Sequence, residues 1–169
     1  LYSVRHQECQ DALAKITERF PAIESLTSTE LAKIENSDLN ENLRKRAIHV
    51  SEEQARVESF CRGIELNTSP QDLGKLLQQS HQSSSKNFEN SCPELDYLAD
   101  TLNQHPSVHG ARLTGGGFGG AVMAWTSPDF NEANASEITR PYEEQFNREA
   151  KWYRFQPSDG ARPLDLLEI

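Results

Sequence analysis

The sequence predicts an α+β domain that is rich in helix and carries a small, mostly antiparallel sheet. Three observations carry that prediction. Apolar residues recur at three- and four-residue spacing from the N-terminus to His105. After His105-Pro106 the rhythm changes to two short apolar runs flanking a run of glycines. A chain of 169 residues and 19.1 kDa also suits one packed core better than two.

Taken in order, residues 2–20 are predicted helical because Val4, Cys9, Ala12, Leu13, Ile16 and Phe20 share one face and Pro21 stops the pattern. A short helix over 28–35 is introduced by the capping-box spacing Thr27-x-x-Glu30. The longest helix is predicted over 40–62. There Leu43, Ala47, Val50, Val57 and Cys61 keep the rhythm, Gln54 is its polar member, and Gly63 is the expected stop. Ser69-Pro70-Gln71-Asp72 starts another helix that buries Leu73, Leu76 and Leu77; Ser91-Cys92-Pro93-Glu94 starts one that buries Leu95, Leu98, Ala99 and Leu102. Residues 108–113 and 121–125 read as strands, and Ser127-Pro128-Asp129 closes the second. A helix follows over 131–150, kinked or split at Pro141. Trp152-Tyr153-Arg154-Phe155 is strand-like, Ser158-Asp159-Gly160 is a turn, and 162–167 forms a last segment. Neither an internal repeat nor a low-complexity linker interrupts this order.

Seventeen basic against 26 acidic residues give a net charge of −9 and a pI near 5.0, which disfavours a nucleic-acid partner, since that needs a basic footprint. The mean hydropathy of −0.71 points to wide solvated faces. No apolar run approaches the ~18 residues of a membrane span, and the N-terminal segment lacks the apolar core of a signal peptide. Cys9, Cys61 and Cys92 are odd in number, with no zinc-like spacing, which fits a reduced compartment. A soluble, cytoplasmic protein without a membrane partner is the expectation. The first residue is Leu1 rather than Met, so the chain is expected either to have lost an upstream part or to be a piece of a longer one.

Thr114-Gly115-Gly116-Gly117-Phe118-Gly119-Gly120 is the most informative stretch. So many residues without a Cβ destabilise a fold unless the backbone takes positive φ or approaches something closely. Two readings follow: successive exposed N–H groups form an anion nest beside a phosphate, or the loop is a tight, mobile hairpin. Gly115-x-Gly117-x-x-Gly120 matches the dinucleotide fingerprint in form only, because a strand follows it and the ribose-binding acid is absent. No Gly-Lys-Ser/Thr ends it, which excludes a P-loop. The histidines read as surface or capping residues rather than metal ligands. Cys92 sits at a helix N-terminus, where a thiolate is stabilised, yet no catalytic partner lies near it in sequence. Arg44-Lys45-Arg46 reads as a solvated helix face.

Several segments together resemble the C-terminal part of the galactokinase branch of the GHMP small-molecule kinases. Arg112-Leu113-Thr114 with the five glycines and Phe118 is similar to that family's third conserved motif. Tyr2-x-Val4-Arg5-x-x-x-Cys9, Arg46-Ala47-x-His49-Val50-x-Glu52, Ser80-His81 with Ser91-Cys92-Pro93-Glu94-Leu95-Asp96, and Ser158-Asp159-Gly160-Ala161 match in the right order. Between His81 and Ser91 the chain departs from the family, which usually carries Leu-Arg and an aromatic-x-Val there.

The resemblance implies a ferredoxin-like C-terminal domain occupying residues 1–169, with the ATP- and sugar-binding N-terminal domain outside this chain. It implies transfer of the γ-phosphoryl of ATP, with Mg²⁺, to the anomeric hydroxyl of galactose or a related sugar. Gly115, Gly116, Gly117, Gly119 and Gly120 would wall the nucleotide-phosphate loop of the other domain, with Thr114 and Phe118 holding them. Tyr2 matches a sugar-contacting tyrosine; on its own it reads as an amphipathic residue at a frayed terminus. The catalytic aspartate, the serine-rich phosphate loop and the first motif have no counterpart here. No catalytic or metal-binding residue is therefore expected in the chain, ATP and Mg²⁺ are expected not to bind it alone, and the isolated 169 residues are expected to be inactive. An alternative is a non-catalytic paralogue that senses sugar and ATP and binds a protein partner.

Overall fold

The computed structural model describes residues 1–158 and residue 160. Its elements run α1 (Tyr2–Arg19), a 3₁₀ turn (Leu26–Ser28), α2 (Leu31–Glu35), α3 (Glu41–Glu65), α4 (Pro70–Ser83), a π-helical turn (Ser84–Phe88), α5 (Pro93–Gln104), β1 (Val108–Thr114), β2 (Ala121–Thr126) and α6 (Glu132–Phe146). The predicted α+β class, with its helices and small antiparallel sheet, is borne out.

Two apolar clusters hold it together. Ala12 and Ile16 of α1 pack with Ile34, Leu43 and Ala47, all 7% exposed or less. Ala111 and Val108 pack with Phe130, Ala135 and Ile138, and Val122 and Ala124 close over them. β1 and β2 pair antiparallel in the register Arg112↔Met123, Leu113↔Val122, Thr114↔Ala121, with an irregularity between Val108 and Gly110. α4 lies backbone to backbone on β1. A Cβ on Gly74 would fall 1.7 Å from His109 O, and one on Gly110 2.2 Å from Gly74 O. α4 and α5 begin after Ser69 and Cys92 as the sequence predicts, each with a proline in the first turn.

Elsewhere tertiary context overrides local signals. The Thr27-x-x-Glu30 capping box does not form. Ser25 instead takes the Ser28 N–H on its hydroxyl and the Thr29 hydroxyl on its carbonyl, so Thr27 lies inside a 3₁₀ turn and α2 begins only at Leu31. α3 continues through Gly63 to Glu65, because Gly63 is needed for contact rather than termination: a Cβ there would lie 2.4 Å from Leu73 Cδ2. Asn67, at φ 54°, ends the helix in a Schellman arrangement, with Thr68 N–H on Gly63 O and Asn67 N–H on Ile64 O. The inward face of α3 carries Arg46 and His49, whereas Val57 and Cys61 are exposed.

α6 passes through Pro141 unsplit and ends at Phe146, where Asn147 turns left-handed at φ 50°. Pro141 is exposed and so is Glu137, whose carbonyl loses its helical partner and faces water instead. Trp152, Tyr153 and Phe155 form no strand; they are exposed, and Arg154 ties the segment down through Phe130 O and Pro128 O. The predicted turn at Ser158-Asp159-Gly160 and the segment 162–167 fall outside the described residues. No described helix is long and apolar enough to cross a membrane.

Candidate functional site

The glycines after β1 are used for their backbone freedom. Gly115, Gly117 and Gly119 take φ of 73°, 79° and 96°, a region that other residues enter only under strain. Phe118 joins them at 58°. Gly117 presses on Asn90, since a Cβ there would lie 2.1 Å from Asn90 O. The Phe118 N–H donates to that carbonyl at 2.6 Å, and Asn90 Nδ2 donates to Gly116 O at 3.3 Å. Thr114, Gly115, Gly116, Gly119 and Gly120 are exposed, while Gly117 and Phe118 are half-buried. Among the described residues, Phe118 is the position of 115–120 whose N–H meets a backbone acceptor outside the strand ladder, and Gly115, Gly116, Gly119 and Gly120 are exposed.

Tyr2, in the first turn of α1, stands against this loop. Its Cδ2 lies 3.9 Å from where a Gly116 Cβ would sit, and the residue is 68% exposed. Two stretches from opposite parts of the sequence thus share one open corner.

An ion network fixes that corner from behind. Arg46 is 1% exposed, with Nε 2.6 Å from Glu8 Oε2, Nη2 2.7 Å from Glu89 Oε2 and Nη1 donating to Asn87 O at 2.5 Å. Arg5 donates to Phe88 O, Glu89 O and Glu8. Glu89, left-handed at φ 52°, is therefore pinned by Arg46, Arg5 and Lys45 immediately before Asn90, and the Arg46 hydrogen bond holds its carboxyl below the usual range. Arg46 is thus a buried connector of α1, α3 and the π-helical turn, which corrects the expectation of a solvated basic face. Arg44 also departs from it, donating to the carbonyls of Ile34, Glu35, Ser37 and Leu39. Nothing local in sequence announces the Arg46 contacts, because Glu8 and Glu89 lie 38 and 43 positions away.

A second network braces β1. Glu53 accepts from Ser80 at 2.5 Å, Arg112 at 2.9 Å and Arg56 at 2.8 Å. Burial works against its charge, but these donors outweigh it and hold the carboxyl below its ordinary range. His81 Nδ1 accepts the Leu113 N–H at 3.1 Å, which leaves the ring proton on Nε2, 3.2 Å from Asp96 Oδ1 but short of hydrogen-bond alignment. Asp96 also accepts from Ser91 and Ser85. His49 stacks on Phe88 with ring centroids 4.6 Å apart, lies 3.0 Å from Ser83 Oγ, and is lowered by burial to a pKa of about 4. His49 and His81 are buried structural groups, not the surface or capping residues expected; His105, which takes the Ser107 N–H on Nδ1, does cap. Burial pushes the Cys92 thiol up, opposite to the thiolate its helix position implied. Among the described residues no three His, Cys, Asp or Glu side chains converge as a metal site. An open groove of about 550 Å³ between α3 and α4, lined by Glu52, Arg56, Gln79 and Lys86 among others, does not include the glycine loop.

Residues 57–148 match the family model described as GHMP kinases C terminal, and the chain belongs to that family. Its curated relatives include galactokinases. That of Thermotoga neapolitana is 32% identical over 163 residues, spanning 96% of this chain and 44% of the relative. Those of Canis lupus familiaris and Bacillus subtilis are each 31% identical over 96% of this chain, and 40% and 42% of their own lengths are covered. The crystal structure of Lactococcus lactis galactokinase complexed with galactose superposes with a TM-score of 0.84 at 31% identity, over 90% of this chain and 39% of that one. The chain spans less than half the length of these relatives.

Proposed function

We propose that this chain is the C-terminal half of an ATP-dependent sugar kinase that phosphorylates the anomeric hydroxyl of galactose or a related sugar. The observation that carries the reading is the corner where the Tyr2 ring lies beside Gly116 of an exposed loop held at positive φ. Phosphoryl transfer depends on in-line positioning and on neutralising charge along the phosphates. Thr114, Gly115, Gly116, Gly117, Phe118, Gly119 and Gly120 form a wall that can close on the phosphates of ATP held by the other half, since without a Cβ two backbones can approach a triphosphate together. The bare amides supply partial positive charge that an acidic domain lacks in side chains. The Tyr2 hydroxyl pairs with a sugar hydroxyl while its ring covers the sugar face.

The galactokinase relatives support this assignment, as does the solved relative described as complexed with galactose. In this reading ATP and Mg²⁺ are held by the other half, as in the galactokinase relatives the chain resembles. The base that takes the sugar proton lies outside this chain, so the 169 residues alone do not turn over.

Joined to its N-terminal half, the protein is expected to release ADP only when sugar is present. Tyr2→Phe should raise the sugar KM about fivefold, the net worth of one hydrogen bond, and leave the ATP KM unchanged. An unchanged sugar KM removes Tyr2 from the sugar site. Ligand binding without any turnover favours the sensor reading instead.

A further inference from the structure

Beside the glycine loop one side chain is deeply buried yet incompletely bonded. Asn90 is 7% exposed, and its Oδ1 is shielded without a hydrogen-bond partner. An isolated buried amide oxygen is unfavourable, so an apolar side chain of similar size would suit this position if shape alone mattered. Asn90 grips the loop on both sides of Gly117. Its Nδ2 donates to Gly116 O at 3.3 Å, its carbonyl accepts the Phe118 N–H at 2.6 Å, and Gly117 fits between only because it lacks a Cβ. Its own N–H donates to Ser84 O of the π-helical turn, and Glu89 before it is held by three cations. The unpartnered oxygen is the cost of the Gly116 bond, because an amide cannot present its NH₂ without carrying its oxygen along.

We propose that Asn90 is a positioning residue, a latch whose side-chain amide holds the exposed loop with Gly115, Gly117, Phe118 and Gly119 in their left-handed conformation. The phosphate-facing role of that conformation rests on the kinase reading above; the latch itself does not.

The test compares amide hydrogen exchange at Phe118 with that at Ala111 in the adjoining strand, whose N–H is held by the non-titrating Asn103 side chain, using the ¹⁵N-labelled 169-residue chain. Asn90→Val should raise the Phe118-to-Ala111 ratio about fivefold, the factor one net hydrogen bond sustains. Asn90→Ala, which fits wherever Asn fits, reads the same loss if the valine does not fold. Asn90→Asp should behave like them at pH 7, where a carboxylate cannot donate to Gly116 O. It should return toward the parent ratio once acid protonates the carboxyl, a recovery that Asn90→Val and Asn90→Ala must not show. A ratio unchanged in Asn90→Val and Asn90→Ala, or one indifferent to pH in Asn90→Asp, overturns the latch. In the protein joined to its N-terminal half, Asn90→Ala should raise the ATP KM several-fold and spare the sugar KM. A raised exchange ratio with an unchanged ATP KM leaves the latch standing and overturns the phosphate-facing reading of the loop.

Discussion

Replacing Arg46 by methionine keeps the buried stem and removes the guanidinium that joins α1, α3 and the π-helical turn. Three short contacts disappear, to Glu8 at 2.6 Å, Glu89 at 2.7 Å and Asn87 O at 2.5 Å. Removing one partner of a fully buried ion pair costs about 3–5 kcal/mol. Here Glu8 and Glu89 keep 20% and 39% side-chain exposure and can rehydrate, which reduces the figure; the Asn87 carbonyl, left without its donor, adds about 1 kcal/mol. A net loss of about 3 kcal/mol is the result, corresponding to a fall in Tm of about 6–12 °C for a chain of this size. Urea denaturation followed by far-UV circular dichroism at pH 7 measures it, with the m-value unchanged between variants. Arg46→Lys should recover only part, because one ammonium cannot reach Glu8, Glu89 and Asn87 together. The loss should also be nearly independent of salt, since a buried ion is poorly screened. A methionine variant within about 0.5 kcal/mol of the parent, or one whose deficit vanishes in high salt, refutes the reading of Arg46 as the connector of these elements.

Gly117→Ala and Gly115→Ala separate strain from crowding: both meet positive φ, about 1 kcal/mol each, but only residue 117 also meets a backbone carbonyl, so its variant should be the less stable of the two and lose more ATP turnover in the joined protein. Equal stabilities would show that Asn90 exerts no steric control over the loop. Gly74→Ala drives a methyl to within 1.7 Å of His109 O and should separate α4 from β1, read as a loss of the cooperative thermal transition or a fall exceeding that of Arg46→Met. Acid should weaken the fold through His49, whose folded pKa is lowered from 6.5 to about 4. Above pH 6.5 both folded and unfolded states are neutral and nothing is lost; between 6.5 and 4 only the unfolded state gains the proton. From pH 7 to 5 the loss is about 2 kcal/mol from His49, with His81 shifted in the same direction. His49→Gln should flatten that part of the stability profile, and an unaltered slope would show that His49 is not the titrating group.

What could be read from sequence was what short-range chemistry dictates. Ser69 and Cys92 before Pro70 and Pro93 announce helix starts because an extended residue and a first-turn proline belong together there. The glycine run announces its loop because left-handed backbone needs residues without a Cβ, and Gly115, Gly117 and Gly119 supply it. Tyr2 had no local signal for the corner it shares with Gly116; only the family resemblance singled it out. Arg46 was hidden because its worth lies in partners far along the chain, and in sequence it stands among Arg44 and Lys45 as one more surface charge. Gly63 looked like a stop signal but serves contact with Leu73, a choice no local rule makes. Trp152-Tyr153-Arg154-Phe155 has strand composition, yet a strand needs a neighbouring strand, and none pairs with it among the described residues.

In the proposed kinase, the corner formed by Tyr2 and the 114–120 loop borders a sugar and the phosphates of ATP. Its most direct test follows the ³¹P NMR spectrum of MgATP and galactose, with a panel of related sugars, in the presence of the protein joined to its N-terminal half. A growing sugar 1-phosphate resonance matched by ADP is expected, abolished or strongly slowed by Gly117→Ala, and absent with the 169-residue chain alone. A folded, joined protein that makes no sugar phosphate from any member of the panel, or a Gly117→Ala variant that makes it at the parent rate, would contradict it.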